Sequence, residues 1–341
     1  MRSDSKDGGT RAGEGRTSEV SATVADRILA CLKGLATGDA IGKQTENLSR
    51  ETLLRWYPSG VQGFEGPPGA TIPRYLGNSK REWRIGETTD DTERTVAVSR
   101  AILQDRGVQH VSVGREMLKC GKCIHPGIRS LWEFHQAADP GRVTDQHDGC
   151  GAAIRVAPVG IVYRPNRFDE IVAGAREASI STHGGPMALG AAAATAAAVS
   201  AAVEGWSSQD IMEFAIAASA QAETQRAGST TFADSMRHIY RELGLRSELL
   251  PEELAAEFFP SNPRTIVPLA IVIAALLESA QAAILLAANT GGDSDSVASI
   301  AGAILGARHP ETINAQWYAV VETVNAHDLS SLAKGLRDLR H

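Results

Sequence analysis

Two stretches of the chain, Met187 to Val203 and Ile266 to Ala288, consist almost wholly of small apolar side chains with no polar alternation. A strand with one face in water alternates every second residue, so these runs read instead as helices covered around their whole circumference. Their length invites comparison with membrane spans. The first, however, is too rich in alanine to partition strongly into lipid, and Glu278 and Gln281 interrupt the second. Both are expected to be core helices of a soluble bundle. Aromatic residues make up only 5% of the chain while glycine reaches 33 residues, which suits helices packed at short range better than sheets. The expected class is all-α, with a single domain over residues 23–341. Residues 1–22 carry almost no large apolar side chain to offset the entropy of ordering and are expected to form a flexible tail.

The helical spacing of Ile28, Leu29, Leu32, Leu35 and Ala36 leads into Gly38-Asp39-Ala40-Ile41-Gly42, where a helix end and turn are expected, with Asp39 as a loop acid. Pro58 to Trp83 is loaded with Gly and Pro and reads as an irregular loop. Val96, Val98, Ile102 and Leu103 predict a helix stopping near Gly107.

The net charge of −6 gives no sign of a broad phosphate-binding surface, so sequence-general nucleic-acid binding is not expected. Four cysteines and no charged-then-apolar leader point to a cytoplasmic protein with reduced thiols and no membrane attachment. Cys120-Gly121-Lys122-Cys123 with His125 raises a zinc reading, but no second ligand pair follows at finger spacing. Neither a Gly-x-Ser-x-Gly elbow nor a Walker Gly-Lys-Ser/Thr sequence occurs.

Chemistry concentrates in two acidic stretches, Thr88-Thr89-Asp90-Asp91-Thr92 and Gly291-Gly292-Asp293-Ser294-Asp295-Ser296, each a turn ahead of an apolar helix. Either alone is explained by helix capping, in which Thr and Asp satisfy free backbone N–H groups. Capping uses one acid and one hydroxyl and leaves the second Asp of each pair over. Carboxylates so crowded repel one another, and hard divalent cations that prefer oxygen ligands relieve that repulsion. The pairing thus suggests one metal centre built from two distant parts of the chain. Gly149-Cys150-Gly151-Ala152-Ala153-Ile154-Arg155 reads as a glycine loop feeding a short helix, open either to a phosphate cradled by backbone N–H groups or to a close helix contact. His183, ahead of the alanine-rich run, is a histidine that orders its loop or a ligand contact.

Together these motifs resemble the ADP-ribosylglycohydrolase family, from about Ala25 to Leu339 and in the family's order. They are Gly38-Asp39-Ala40-Ile41-Gly42 with Glu46, Thr89-Asp90-Asp91-Thr92, Gly149 to Arg155 with Pro158, Thr182-His183, and Gly291 to Ser296. The resemblance implies a compact orthogonal multi-helix fold with a two-metal cleft that receives ADP-ribose. Thr89, Asp90 and Asp91 would bind two Mg²⁺ or Mn²⁺ ions from one side, and Asp293, Asp295 and Ser296 from the other. Ser296 stands where the family commonly has Thr, and Cys150 where it commonly has Asn. Glu46 or Asp293 would be the catalytic carboxylate. Gly149, Gly151, Ala152, His183, Gly291 and Gly292 would contact the ADP-ribose. The implied activity is cleavage of the anomeric bond of ADP-ribose attached to a protein side chain or small molecule, by a monomer. Two alternatives are a hydrolase of another ribosyl or nucleotide metabolite and a non-catalytic ADP-ribose-binding protein.

Overall fold

Thr23 opens the first helix, Val24–Gly42, through a reciprocal capping box with Asp26. Residues 22–78, 80–227 and 231–341 are described by the computed structural model, so most of the expected N-terminal tail lies outside the described residues. Among them are sixteen α-helices, three short 3₁₀ turns and no strand beyond two isolated bridges, as an all-α chain requires.

The alanine-rich run becomes the helix Pro186–Val203, which is long and apolar enough to cross a membrane by length and composition but is 89% buried among other helices. It is thus a core helix of the bundle. Its N-terminus is closed by Asp148, whose Oδ1 accepts from the N–H groups of Met187 at 2.9 Å and Ala188 at 3.2 Å. The second apolar run is two helices, Pro263–Leu276 and Ala280–Thr290. Glu278 falls in the break, and Ser279 caps the second helix by accepting from the Ala282 N–H.

At the centre, the first helix lies against Ser294–Arg308 along its length. Gly34, Gly38 and Gly42 share one face, four residues apart. A methyl group on them would lie 2.1 Å from the Gly302 carbonyl oxygen, 2.1 Å from that of Ala298 and 2.4 Å from that of Ser294. Gly302 and Gly306 repeat the arrangement from the other side, 2.4 Å from the carbonyl oxygen of Gly34 and 2.5 Å from that of Ala30. Only hydrogen fits at this crossing, so the two backbones touch. Dispersion contacts between them substitute for the large side chains the composition lacks.

This crossing brings the two ends of the sequence together where the acidic motifs sit. The turn after the first helix continues the join: Thr45 Oγ1 donates to the Ala288 carbonyl at 2.6 Å, and Leu48 pairs with Gly292 in an antiparallel bridge. The Pro58 to Trp83 segment is irregular, as expected. It encloses a small apolar cluster of its own, formed by Ile72, Tyr75, Trp83 and Ile85, which sets it as one wall of the cleft.

Candidate active site

Four acids expected in turns, Asp39, Asp90, Asp91 and Asp295, belong to helices. Asp39 lies inside the first helix, fully buried, and its carboxylate accepts from the N–H of Thr89 at 2.9 Å and of Thr92 at 3.1 Å, and from the Thr92 hydroxyl. The helix it caps, Asp90–Asp105, therefore begins ahead of the apolar residues that announced it, with Asp90 and Asp91 in its first turn. Thr89 is the N-cap residue and accepts from the Asp91 N–H at 3.2 Å. Because Asp39 and Thr89 satisfy the free N–H groups from outside, the Asp90 and Asp91 side chains are released from capping. In the second motif Asp293 is the N-cap residue of Ser294–Arg308, without a side-chain cap bond, and Asp295 lies in the first turn.

Asp90, Asp91, Asp293 and Asp295 all line one cleft of about 1270 Å³, together with Glu46, Gly149, Gly151, His183, Gly292 and Ser296. Thr89, Ala152 and Gly291 stand behind its wall. Burial pushes the Asp91 carboxyl well above the usual carboxylate range, and Asp39, Asp90 and Asp293 push the same way. Burial also raises Asp295 well above that range; Lys43 opposes the rise while Asp293 and Asp91 add to it. At Asp90 burial is outweighed by Arg94, whose Nη2 lies 2.6 Å from the carboxylate, helped by a Cys123 hydrogen bond and by Lys43, so the carboxyl sits below its ordinary value. Asp91 and Asp295 thus carry burial and acid–acid repulsion that the nearby cations do not offset.

Whether such residues fit a divalent cation is decided by donor chemistry. Four carboxylates with the hydroxyl of Ser296 offer oxygen donors of the kind Mg²⁺ and Mn²⁺ prefer, while the Thr89 hydroxyl behind the wall caps the Asp90 helix, and the raised acids are those that gain most from a cation. Among the described residues no three His, Cys, Asp or Glu side chains are gathered into a compact ligand cluster, so these acids line the cleft without converging on one point. The same observation leaves the Cys120-Gly121-Lys122-Cys123 turn without a zinc cluster. Glu93 organises that turn, its carboxylate accepting from the N–H groups of Gly121 at 3.0 Å and Lys122 at 2.9 Å.

His183 is fixed by its own loop while lining the cleft. Its Nδ1 pairs with the Thr182 hydroxyl at 2.8 Å and its Nε2 with the Ser130 hydroxyl at 3.2 Å. Burial, with Arg155 and Arg94 adding to it, drives its pKa well down and keeps the ring neutral. The ring packs on the glycine loop: a methyl group on Gly151 would lie 2.8 Å from its Cε1. Arg155 completes the lock, donating to the carbonyls of Gly151, Ala178 and Ser179 and to the Thr182 hydroxyl.

Two of the stretches expected to contact ADP-ribose have backbone N–H groups engaged within the protein. Gly292 N–H donates to Leu48 at 2.9 Å and Asp293 N–H to Pro260 at 2.8 Å, while Gly184 and Gly185 donate to Gln146 and His147. Gly291 and Gly292 are required by the chain path, with φ of 83° and 68° and carbonyl oxygens of Leu48 and Pro260 where their side chains would be. The 3₁₀ turn Cys150–Arg155 differs, since no side chain caps its N-terminus.

The contact made by Cys150, and the site residues Arg94, Lys43 and Arg74, escaped the sequence reading. Cys150 donates its thiol to Asp293 Oδ2 at 3.3 Å, so the departure from Asn yields a holder of one acid. Arg94 carries no motif signature, yet it is buried in the cleft wall with no hydrogen-bond partner for its Nε among the described residues. Lys43 and Arg74 likewise face the cleft.

The profile of the ADP-ribosylglycohydrolase family matches residues 20–341. The chain belongs to the ADP-ribosylglycohydrolase family. Two of this family member's relatives are an uncharacterised protein of Archaeoglobus fulgidus, 27% identical over 82% of the chain and 86% of the relative, and the uncharacterised protein YegU of Escherichia coli, 28% identical over 92% and 97%. Among solved structures, one described as an ADP-ribosylglycohydrolase-related protein complex superposes with a TM-score of 0.70 at 24% identity, over 93% of this chain and 99% of that one, and shares the fold. Membership in the ADP-ribosylglycohydrolase family supports a hydrolase of a glycosidic bond in an ADP-ribose-type compound.

Proposed function

We propose that the protein is a divalent-metal-dependent glycohydrolase that releases ADP-ribose from a modified protein side chain or small molecule, acting as a cytoplasmic monomer. The observation that carries this reading is the single cleft lined by Asp90, Asp91, Asp293 and Asp295, drawn from two distant motifs in a chain of this family.

Cleavage at the anomeric carbon builds oxocarbenium-like charge on the ribose ring and needs an activated water and a protonated leaving group. Two Mg²⁺ or Mn²⁺ ions, held by Thr89, Asp90 and Asp91 on one side and Asp293, Asp295 and Ser296 on the other, would supply positive charge to orient ribose hydroxyls and acidify a water. Asp293, steadied by the Cys150 thiol, and Glu46 at the rim are the two carboxylates offered for proton transfer. Arg94, with its unpartnered Nε, and the uncapped turn at Gly149, Cys150 and Gly151 are suited to the diphosphate.

The test is product release from arginine- and serine-ADP-ribosylated peptides, ADP-ribose-1″-phosphate, O-acetyl-ADP-ribose and NAD, with Mg²⁺, Mn²⁺ or excess EDTA. Metal-dependent ADP-ribose release from at least one is expected. Asp293→Asn or Glu46→Gln should lower turnover by roughly 10²–10⁴-fold while sparing ADP-ribose binding, the range for a lost proton-transfer group. Unchanged turnover in both variants defeats the carboxylate assignment, and no metal-dependent release from any substrate defeats the reading itself.

A further inference from the structure

Ser130 is a cleft-lining hydroxyl whose proton the surrounding hydrogen bonds leave unspent. It lies in the first turn of Arg129–Ala137 and is 6% exposed, and its Oγ has one hydrogen-bond partner among the described residues, His183 Nε2 at 3.2 Å. Which of the two donates is settled one residue further back. Arg155 is a donor without acceptors, so Thr182 Oγ1 accepts from its Nη2 at 2.8 Å. The Thr182 proton then has two places to go, the Ser179 carbonyl at 3.5 Å and His183 Nδ1 at 2.8 Å. That carbonyl already accepts from the Thr182 N–H at 3.0 Å, the His183 N–H at 2.8 Å and Arg155 Nη2 at 3.1 Å, and 3.5 Å is long for a hydroxyl donor. Nδ1 is therefore the acceptor. The buried ring is neutral and carries one proton, which falls on Nε2 and is donated to Ser130. Ser130 thus accepts from the ring, and its own proton is left for the cleft. The neighbours of that ring are donors too. A methyl group on Gly149, at the uncapped turn, would lie 3.2 Å from Nε2, and Arg94 Nη1 is 3.6 Å from the same point on Gly151.

We propose that Ser130 is a specificity-determining residue of the cleft: the relay Arg155–Thr182–His183 fixes its hydroxyl as a hydrogen-bond donor, and that donor binds an unprotonated phosphoryl oxygen of the substrate's diphosphate. This rests on the ADP-ribose reading above and adds to it a residue and a direction of hydrogen bonding. A free serine donates or accepts with equal ease. Here the relay removes the choice, and a phosphoryl oxygen, which only accepts, is the matching group. A ligand without such an oxygen would leave a buried donor unpaired, which is how a site of this kind discriminates.

The experiment has two readouts on the full chain. The first is ring ¹⁵N chemical shifts of histidine-labelled wild type without ligand, with His183 assigned through its contacts to Thr182 and Ser130. Protonated Nε2 and bare Nδ1 are expected; a protonated Nδ1 means that the Ser130 proton is spent on the ring and overturns the proposal. The second is calorimetry of ADP-ribose and of ADP, in excess Mg²⁺, with wild type, Ser130→Ala, Thr182→Val and the double variant. Ser130→Ala should bind both ligands roughly ten- to hundredfold more weakly, the size of one hydrogen bond to a charged group. Thr182→Val, which removes the hydroxyl between Arg155 and the ring, should weaken binding when Ser130 is present and add nothing in Ser130→Ala. Wild-type affinity in Ser130→Ala, or additive losses in the double variant, overturns the proposal while leaving the ADP-ribose reading in place. No binding of ADP-ribose by wild type removes that reading and this one together. If Ser130→Ala does not fold, the ring shifts and Thr182→Val decide: a protonated Nδ1, or wild-type affinity in Thr182→Val, refutes the relay.

Discussion

Gly38→Ala tests the helix crossing that assembles the cleft. Its new methyl carbon would lie 2.1 Å from the Ala298 carbonyl oxygen, 2.5 Å from the carbonyl carbon and 2.9 Å from the Ser299 nitrogen, where ordinary contact begins at 3.4 Å. The helices must therefore part by about 1.3 Å at this point, the difference between 3.4 and 2.1. All three obstructing atoms are backbone, so no side-chain rotation relieves the clash. Overpacking of this kind costs about 1–3 kcal/mol, and a rigid helix pair belongs at the upper end. Alanine returns about 1 kcal/mol through its better helix propensity, leaving a net loss of roughly 2 kcal/mol. For a chain of this size that is a fall in melting temperature of about 3 °C. Gly107→Ala is the control, because nothing lies within 4 Å of its added methyl, and it should stay within about 0.5 kcal/mol of wild type. The assay is the urea midpoint with a thermal melt. If Gly38→Ala unfolds at or above the wild-type midpoint, the backbone contact does not constrain the two helices.

Asp91→Asn should raise the melting temperature measured in EDTA, because it removes one charge from a carboxylate set that burial and three neighbouring acids already disfavour, while abolishing most turnover; a variant less stable than wild type in EDTA contradicts this. Asp148→Ala should cost about 1 kcal/mol of stability, the typical value of a lost helix cap, read from the urea midpoint. Burial, with Lys122 and Arg100, lowers the His327 pKa to about 4 from an ordinary 6.5, so between those values the unfolded chain binds the extra proton. Stability due to His327 is therefore complete above pH 6.5 and is lost as pH falls toward 4, up to about 3 kcal/mol in all. His327→Gln should flatten the dependence of the urea midpoint on pH across that window, and an unchanged slope would count against the buried neutral histidine.

The all-helical class was legible in the two apolar runs, because a helix buried on every side needs no polar stripe. The acidic motifs were legible as well, since capping could not use every acid in Thr89-Asp90-Asp91-Thr92. The role of Asp39 was not: its partners, Thr89 and Thr92, are contributed by a different helix, and sequence spacing carries no record of that contact. The break at Glu278 was visible as an interruption, yet only the Ser279 cap turns it into the start of a new helix. Asp148 left no signal, because an acid that closes another helix from a loop looks like any loop acid. Cys150 appeared as a departure from a pattern, whereas its bond to Asp293 depends on how the Gly149 loop folds onto the Ser294 helix. Lys43 and Arg94 are single basic residues in helical surroundings, and nothing local separates them from solvent-facing lysines and arginines.

The contact between the first helix and Ser294–Arg308 also sets an order of events during synthesis. Val24–Gly42 leaves the ribosome early, with its glycine face bare, and the surface that fits it emerges only after almost all of the chain has been made. Until then Asp39 and the Asp90 helix can find one another, but Asp293 and Asp295 have not arrived, and the cleft is half a wall. Closing so long a loop is slow compared with local helix formation. The waiting helix face is an exposed apolar surface in the meantime, a natural station for a chaperone. A chain truncated before Asp293 lacks both the packing partner and two of the four acids, so such incomplete copies have no means of building the cleft.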